Sequence, residues 1–165
     1  MHPAIARRDH ASSHVRTFTV VAMATGAVPV PGASIAIVAE SAAMVNAVAS
    51  AYGVSISVGT VVAALGPAAA VNAIGRAVFI EGARLLGWAA GPFGIGAVSA
   101  LGAATAGLQT WTLGQLAIAL CENGGIPLAV DQAQHVIAGA RETFDSFRRE
   151  PETAEAVEQR RRKSN

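Results

Sequence analysis

The sequence predicts an all-α fold of membrane-associated helical hairpins with Pro/Gly-rich turns, followed by an amphipathic helix near the C-terminus. Three observations predict it. Of 12 basic and 11 acidic side chains, only Glu40, Arg76, Glu81 and Arg84 fall between positions 17 and 121. A water-soluble domain carries about a quarter charged residues, spread over its surface. The uncharged runs 17–39, 41–75 and 85–121 each exceed the roughly 20 residues that a helix needs to cross a hydrocarbon core. Finally, proline and glycine cluster at 29–32, 66–67 and 91–96, where they interrupt the apolar runs and give hairpins places to turn.

Four segments follow along the chain. Residues 1–13 read as a polar, mobile leader. Residues 14–128 form an apolar Ala/Gly-rich helical domain associated with the membrane. Residues 129–148 are an amphipathic helix, and 149–165 a charged tail. Within the long domain a first helix is expected over 14–28, ended by Pro29 and Pro31, which push their predecessors out of helical geometry. A second fits 33–52, with Gly53 as its left-handed stop. Its wheel is two-sided. Ile37, Val38, Met44, Val45, Val48 and Tyr52 lie on one arc; Ala36, Ala39, Glu40, Ala43, Asn46, Ala47 and Ser50 lie on the other. A face of small residues lets a neighbouring backbone approach closely.

Residues 55–58 alternate in polarity, as a short extended piece would, and lead into another apolar run. A third helix is expected over 68–90, behind Pro67 at its first position. Arg76, Glu81 and Arg84 share one side of it, and Gly75 and Gly82 fall in its apolar arc. The segment 91–96 reads as a tight turn. Beyond it, 97–121 is apolar all round, so that helix is either buried or bathed in lipid. It is the best single candidate for a span, closed by Asn123-Gly124-Gly125. In 129–148, Ala133, Val136, Ile137, Ala140, Phe144 and Phe147 recur at helical spacing, with Asp131, Gln132, Gln134, Arg141, Glu142 and Asp145 elsewhere on the wheel. Pro151 opens the charged tail.

The candidate functional residues are few. Glu40 is a lone carboxylate in an apolar stretch. An ionisable group in such a place tends to face a helix seam with a partner, and Arg76 or Arg84 is the expected one. Glu81 completes the set of intramembrane polar groups. Gly75, Gly82, Gly102 and Gly107 are expected at close helix contacts. Arg160, Arg161, Arg162 and Lys163 are expected to meet lipid headgroups, each basic residue contributing about 1 kcal/mol. His10 and His14 are four apart without a third ligand, and Cys121 has no base nearby. No acid–base pair, activated nucleophile or metal cluster emerges, so neither enzyme nor cofactor is expected. A formal charge of +1 gives no field that would draw nucleic acid.

Arg7, Arg8 and Arg16 precede the apolar run 17–28, in the outline of a cleaved leader. The chain beyond Ser34 is as apolar as that leader would be, so the segment is expected to stay. Basic residues near both termini favour the cytoplasmic side of the membrane for each.

Val28-Pro29-Val30-Pro31, Glu40, Met44, Tyr52-Gly53, Gly75-Arg76, the 91–96 turn and Thr110-Trp111-Thr112-Leu113-Gly114 occur in an order that resembles a GTPase-associated family of unknown function, the YcjF-like proteins. The resemblance covers about residues 18–124. It implies membrane association and a GTPase partner. Ser34 and Glu40 stand where members of that family often carry Asp and Gln. The chain has no phosphate-binding loop of its own. The expectation is a non-enzymatic membrane adaptor or scaffold, partnered by the bilayer, by copies of itself and, through the resemblance, by a GTPase. A self-assembling channel or membrane-remodelling protein is the alternative, and a soluble helical oligomer the third.

Overall fold

Residues 3–28, 33–64 and 91–164 are described by a computed structural model, and six helices account for nearly all of them. They are α1 (Pro3–Ala27), α2 (Ala33–Tyr52), α3 (Val58–Ala64), α4 (Gly91–Glu122), α5 (Val130–Phe147) and α6 (Pro151–Ser164). The fold is all-α. The helix expected over 68–90 lies outside the described residues.

Helix α4 is the axis. Its longest contact is with α1, and the two run antiparallel. Arg8 pairs with Glu122 at one end, Val15 faces Gly114 midway, and Gly26 faces Gly102 at the other end. Small residues make this approach possible. A Cβ added to Gly26 would stand 2.5 Å from the Gly102 carbonyl oxygen, and one added to Gly114 would stand 2.5 Å from a Val15 methyl. Backbones this close gain dispersion contacts that larger side chains would prevent. Helix α2 packs on both α1 and α4, burying Ile37, Met44, Val45 and Val48. Helix α5 folds back along α4, and α6 lies against α1. Met44, Leu116, Leu120, Val15, Val45 and Val48 are fully buried, each contributing about 1.5–3 kcal/mol relative to exposure.

Two helix ends have a cap that depends on glycine. At the end of α2, Gly53 (φ +68°) donates to Ser50 and Val54 donates to Ala49. At the end of α4, Gly124 (φ +70°) donates to Cys121 and Gly125 donates to Leu120. This paired pattern satisfies carbonyls that the helix end leaves open, and it needs a left-handed residue at its centre. Ser57 starts α3 by accepting the Thr60 N–H at 3.2 Å, the usual work of an N-cap serine.

Several expectations are corrected. The polar leader 1–13 is helical from Pro3. Proline suits a first helical turn, and Ala11, fully buried, ties the segment into the core. Helix α4 begins at Gly91, so 91–96 is its first turn and a half rather than a separate turn; Pro92 costs no backbone bond there, because the first N–H groups have no partner in the helix. The charged tail is helical from Pro151 to Ser164. Its acids come first and its bases last, as the helix dipole favours, with Glu158 bonded to Arg161 and Arg162.

The expected span, 97–121, is not free for lipid over its C-terminal half. Trp111, Leu113, Leu116, Ala117, Ile118, Leu120 and Cys121 are buried beneath α1, α2, α3 and α5. Among the described residues α2 is the helix long and apolar enough to cross a membrane. Its inner side is occupied by α1 and α4, and α1 carries Arg7, Arg8 and Arg16, all exposed.

Candidate functional site

Among the described residues, the outward face of α2 is left uncovered. Ala36, Ala39, Ala43, Asn46 and Ser50 are all exposed. Their alternating spacing of three and four keeps them on one stripe of the helix. Ile35 and Val38 flank the start of the stripe, 76% and 61% exposed. Val38 was expected on the inner arc but sits at its edge, beyond the reach of α1 and α4.

Glu40 lies at the border of this face. Its Oε1 accepts a hydrogen bond from the Thr25 hydroxyl of α1 at 2.8 Å, and its buried Oε2 has no partner among the described residues. Burial pushes the carboxyl above its ordinary range; the Thr25 hydroxyl and the charge of Arg160 pull it part of the way back. Glu40 therefore faces its own chain across the α1–α2 seam. The expected partners Arg76 and Arg84 lie outside the described residues, as do Glu81, Gly75 and Gly82.

Of the remaining sequence candidates, Gly102 and Gly107 are buried. A Cβ on Gly107 would stand 2.5 Å from Met23 and 2.9 Å from Phe144. Arg160, Arg161, Arg162 and Lys163 are exposed in the last turns of α6. His10 and His14 stack with ring centroids 4.7 Å apart, and no group of three metal-ligating side chains occurs among the described residues. Cys121 is buried; burial and the neighbouring Glu122 charge push its thiol upward. That disfavours the reactive thiolate.

Two clusters escaped the sequence reading. In the first, Trp111 stacks on Phe147 at 4.6 Å and donates to the Thr143 hydroxyl at 3.0 Å. Arg16 lies 4.8 Å above the other partner of that stack, the Phe147 ring, and pairs with Glu150. The cluster joins α1, α4 and α5 to the start of α6. It borders a cleft that also involves Ser12, Gln115 and Ser146. Its charged groups, Arg16 and Glu150, pair with each other, and its indole N–H is held by Thr143. In the second, nearer the N-terminal end of α1, the Tyr52 hydroxyl donates to Glu122 at 3.1 Å beside Arg8. Burial and the Glu122 charge push that hydroxyl up to about 12. Phe144 and Phe147 were legible as apolar positions; the pairing of Arg16 with Glu150 joins residues too far apart in sequence for periodicity to connect.

No protein family, curated protein or solved structure matches the chain. The functional reading therefore rests on the surfaces described above.

Proposed function

We propose that the chain is a non-catalytic, self-assembling module of the membrane surface, whose copies join through α2 and together reshape the bilayer on which they lie. One observation carries this reading: the small-residue stripe Ala36, Ala39, Ala43, Asn46 and Ser50 is left open on the helix most suited to apolar surroundings. Within the chain, the α1–α4 contact uses small residues to bring two backbones together, and the α2 stripe offers the same device to a second copy. Glu40 turns toward Thr25 and away from the stripe, which favours surface assembly over a channel lined by that carboxylate. Lying on the bilayer keeps both termini on one side, the cytoplasmic side by the distribution of basic residues.

The test is cross-linking of Ala43→Cys protein through the introduced thiol, with native Cys121 shielded by burial. Links between copies are expected, and Ala39→Leu should suppress them. A chain that sediments as a monomer at every concentration, with and without vesicles, would end the proposal.

A second reading follows from the resemblance to GTPase-associated proteins. The exposed side of α5, with Asp131, Gln134, Arg141, Glu142 and Asp145, is open to a soluble partner. Capture of a GTPase that depends on Arg141 and Glu142 would support an adaptor role.

A further inference from the structure

We infer that the end of the bundle where α6 finishes and α2 begins is a docking surface for an anionic bilayer. The inference rests on the membrane-surface reading above and adds which end meets lipid and which lipid it selects. Helix α6 starts beside Arg16, through Glu150, packs along α1 and brings Arg160 into the neighbourhood of Glu40. It therefore runs alongside α1 toward the Thr25 end. The final turns set exposed Arg160, Arg161, Arg162 and Lys163 against Glu158, which bonds to Arg161 and Arg162, so basic charge remains in excess there, and they lie at the same end of the bundle as the start of α2. Three apolar side chains are bare there as well: Ile35 at 76%, Val38 at 61% and Leu101 at 46%. Leu101 belongs to this end because the neighbouring Gly102 faces Gly26.

The helix dipole alone accounts for basic residues in the last turn of α6. It does not account for three exposed aliphatic side chains at the same end. Basic side chains around exposed apolar ones suit a surface that is negative outside and hydrocarbon just beneath. The opposite end makes the contrast. Ile5, Ile126 and Val130 are exposed there too, but among Arg7, Arg8, Asp9, Glu122 and Asp131, whose charges largely cancel. That end has no net attraction for an anionic surface.

The experiment is flotation of the full chain with phosphatidylcholine vesicles, with and without phosphatidylserine, at low and high salt. Binding is expected to need phosphatidylserine and to weaken with salt. The variant R161Q/R162Q/K163Q alters exposed side chains only and should lose more than about tenfold in partition, each basic residue near the surface being worth about fivefold. I35S/V38S should also weaken binding, and R7Q/R8Q should leave it unchanged. Equal binding to neutral vesicles would overturn the inference. So would equal loss from R7Q/R8Q, or retention of nucleic acid in place of vesicles. The Ala43→Cys cross-links are measured without lipid, so their formation with no anionic selectivity removes this inference and leaves self-assembly standing.

Discussion

The α1–α4 interface and the outward face of α2 are both built largely from small residues, yet one is closed and the other open. At the first, Gly26, Gly107 and Gly114 each have a neighbour so close that a single added carbon would collide with it. At the second, Ala36, Ala39 and Ala43 are exposed. The closed seam is glycine-rich, and the open stripe is alanine with Asn46 and Ser50. What also separates them is the element opposite: α4 offers glycines at the levels where α1 needs room, while nothing in the described part of the chain covers α2 from outside. Small residues therefore mark a capacity for close packing, and the fold decides where that capacity is used.

The comparison can be broken most directly at its closed side. Gly26→Val drives a branched side chain into the Gly102 backbone, which cannot yield as a flexible side chain can. It should cost about 3 kcal/mol in urea unfolding; a cost near zero would mean that the two helices are not in contact. Cys121 probes the same closed region without a mutation. Its thiol, buried and raised by the Glu122 charge, should be alkylated by iodoacetamide at neutral pH at least about tenfold more slowly than in urea. A rate equal to that of the unfolded chain would show α4 exposed.

Glu40 stands on the border, and its effect should be smaller. Its carboxyl is raised in the folded chain from an ordinary value of 4.5, so the folded state holds the proton more tightly than the unfolded state. The stability this contributes is complete below pH 4.5 and is lost as pH rises through the raised value. Glu40→Gln should flatten that part of the stability profile and modestly stabilise the chain at neutral pH. An unchanged profile would mean that Arg160 and Thr25 compensate for the burial in full.

The smallest effect belongs to the open side. Ala43→Val, measured at a dilution where the chain is monomeric, should shift stability by no more than about 0.5 kcal/mol. A cost comparable to that of Gly26→Val would show that the stripe is covered even in the monomer.

Local chemistry made much of this architecture legible. The bounds of α2, its stop at Gly53 and the close of α4 at Gly124 each depend on a few adjacent residues with strong conformational preferences. Helical spacing put Ile37, Val38, Met44, Val45, Val48 and Tyr52 on one arc; Ile37, Met44, Val45 and Val48 are buried, while Val38 is exposed and Tyr52 half-buried. The misreadings share a different cause. The first turns of α1 are polar, and what fixes them is Ala11 in the core and Arg8 against Glu122, a contact that spans most of the chain. The run 97–121 is equally apolar whether protein or lipid surrounds it, so periodicity had no means of choosing. At the candidate site, the face of α2 was legible as a set of small residues. That the face is left open, and that Glu40 turns to Thr25, depended on how α1 returns along α2.

Two side chains in the closed interface have a further consequence. Thr19 and Thr110 are fully buried, and neither hydroxyl has a hydrogen-bond partner among the described residues. The register set by Val15 on Gly114 and Met23 on Gly107 puts them at the same level of the antiparallel pair. Each dehydrated hydroxyl offsets roughly 1–3 kcal/mol of what the surrounding contacts contribute. The seam with the closest fit is thus held less firmly than its shape implies, and α1 can part from α4 at a lower cost because both hydroxyls then regain water.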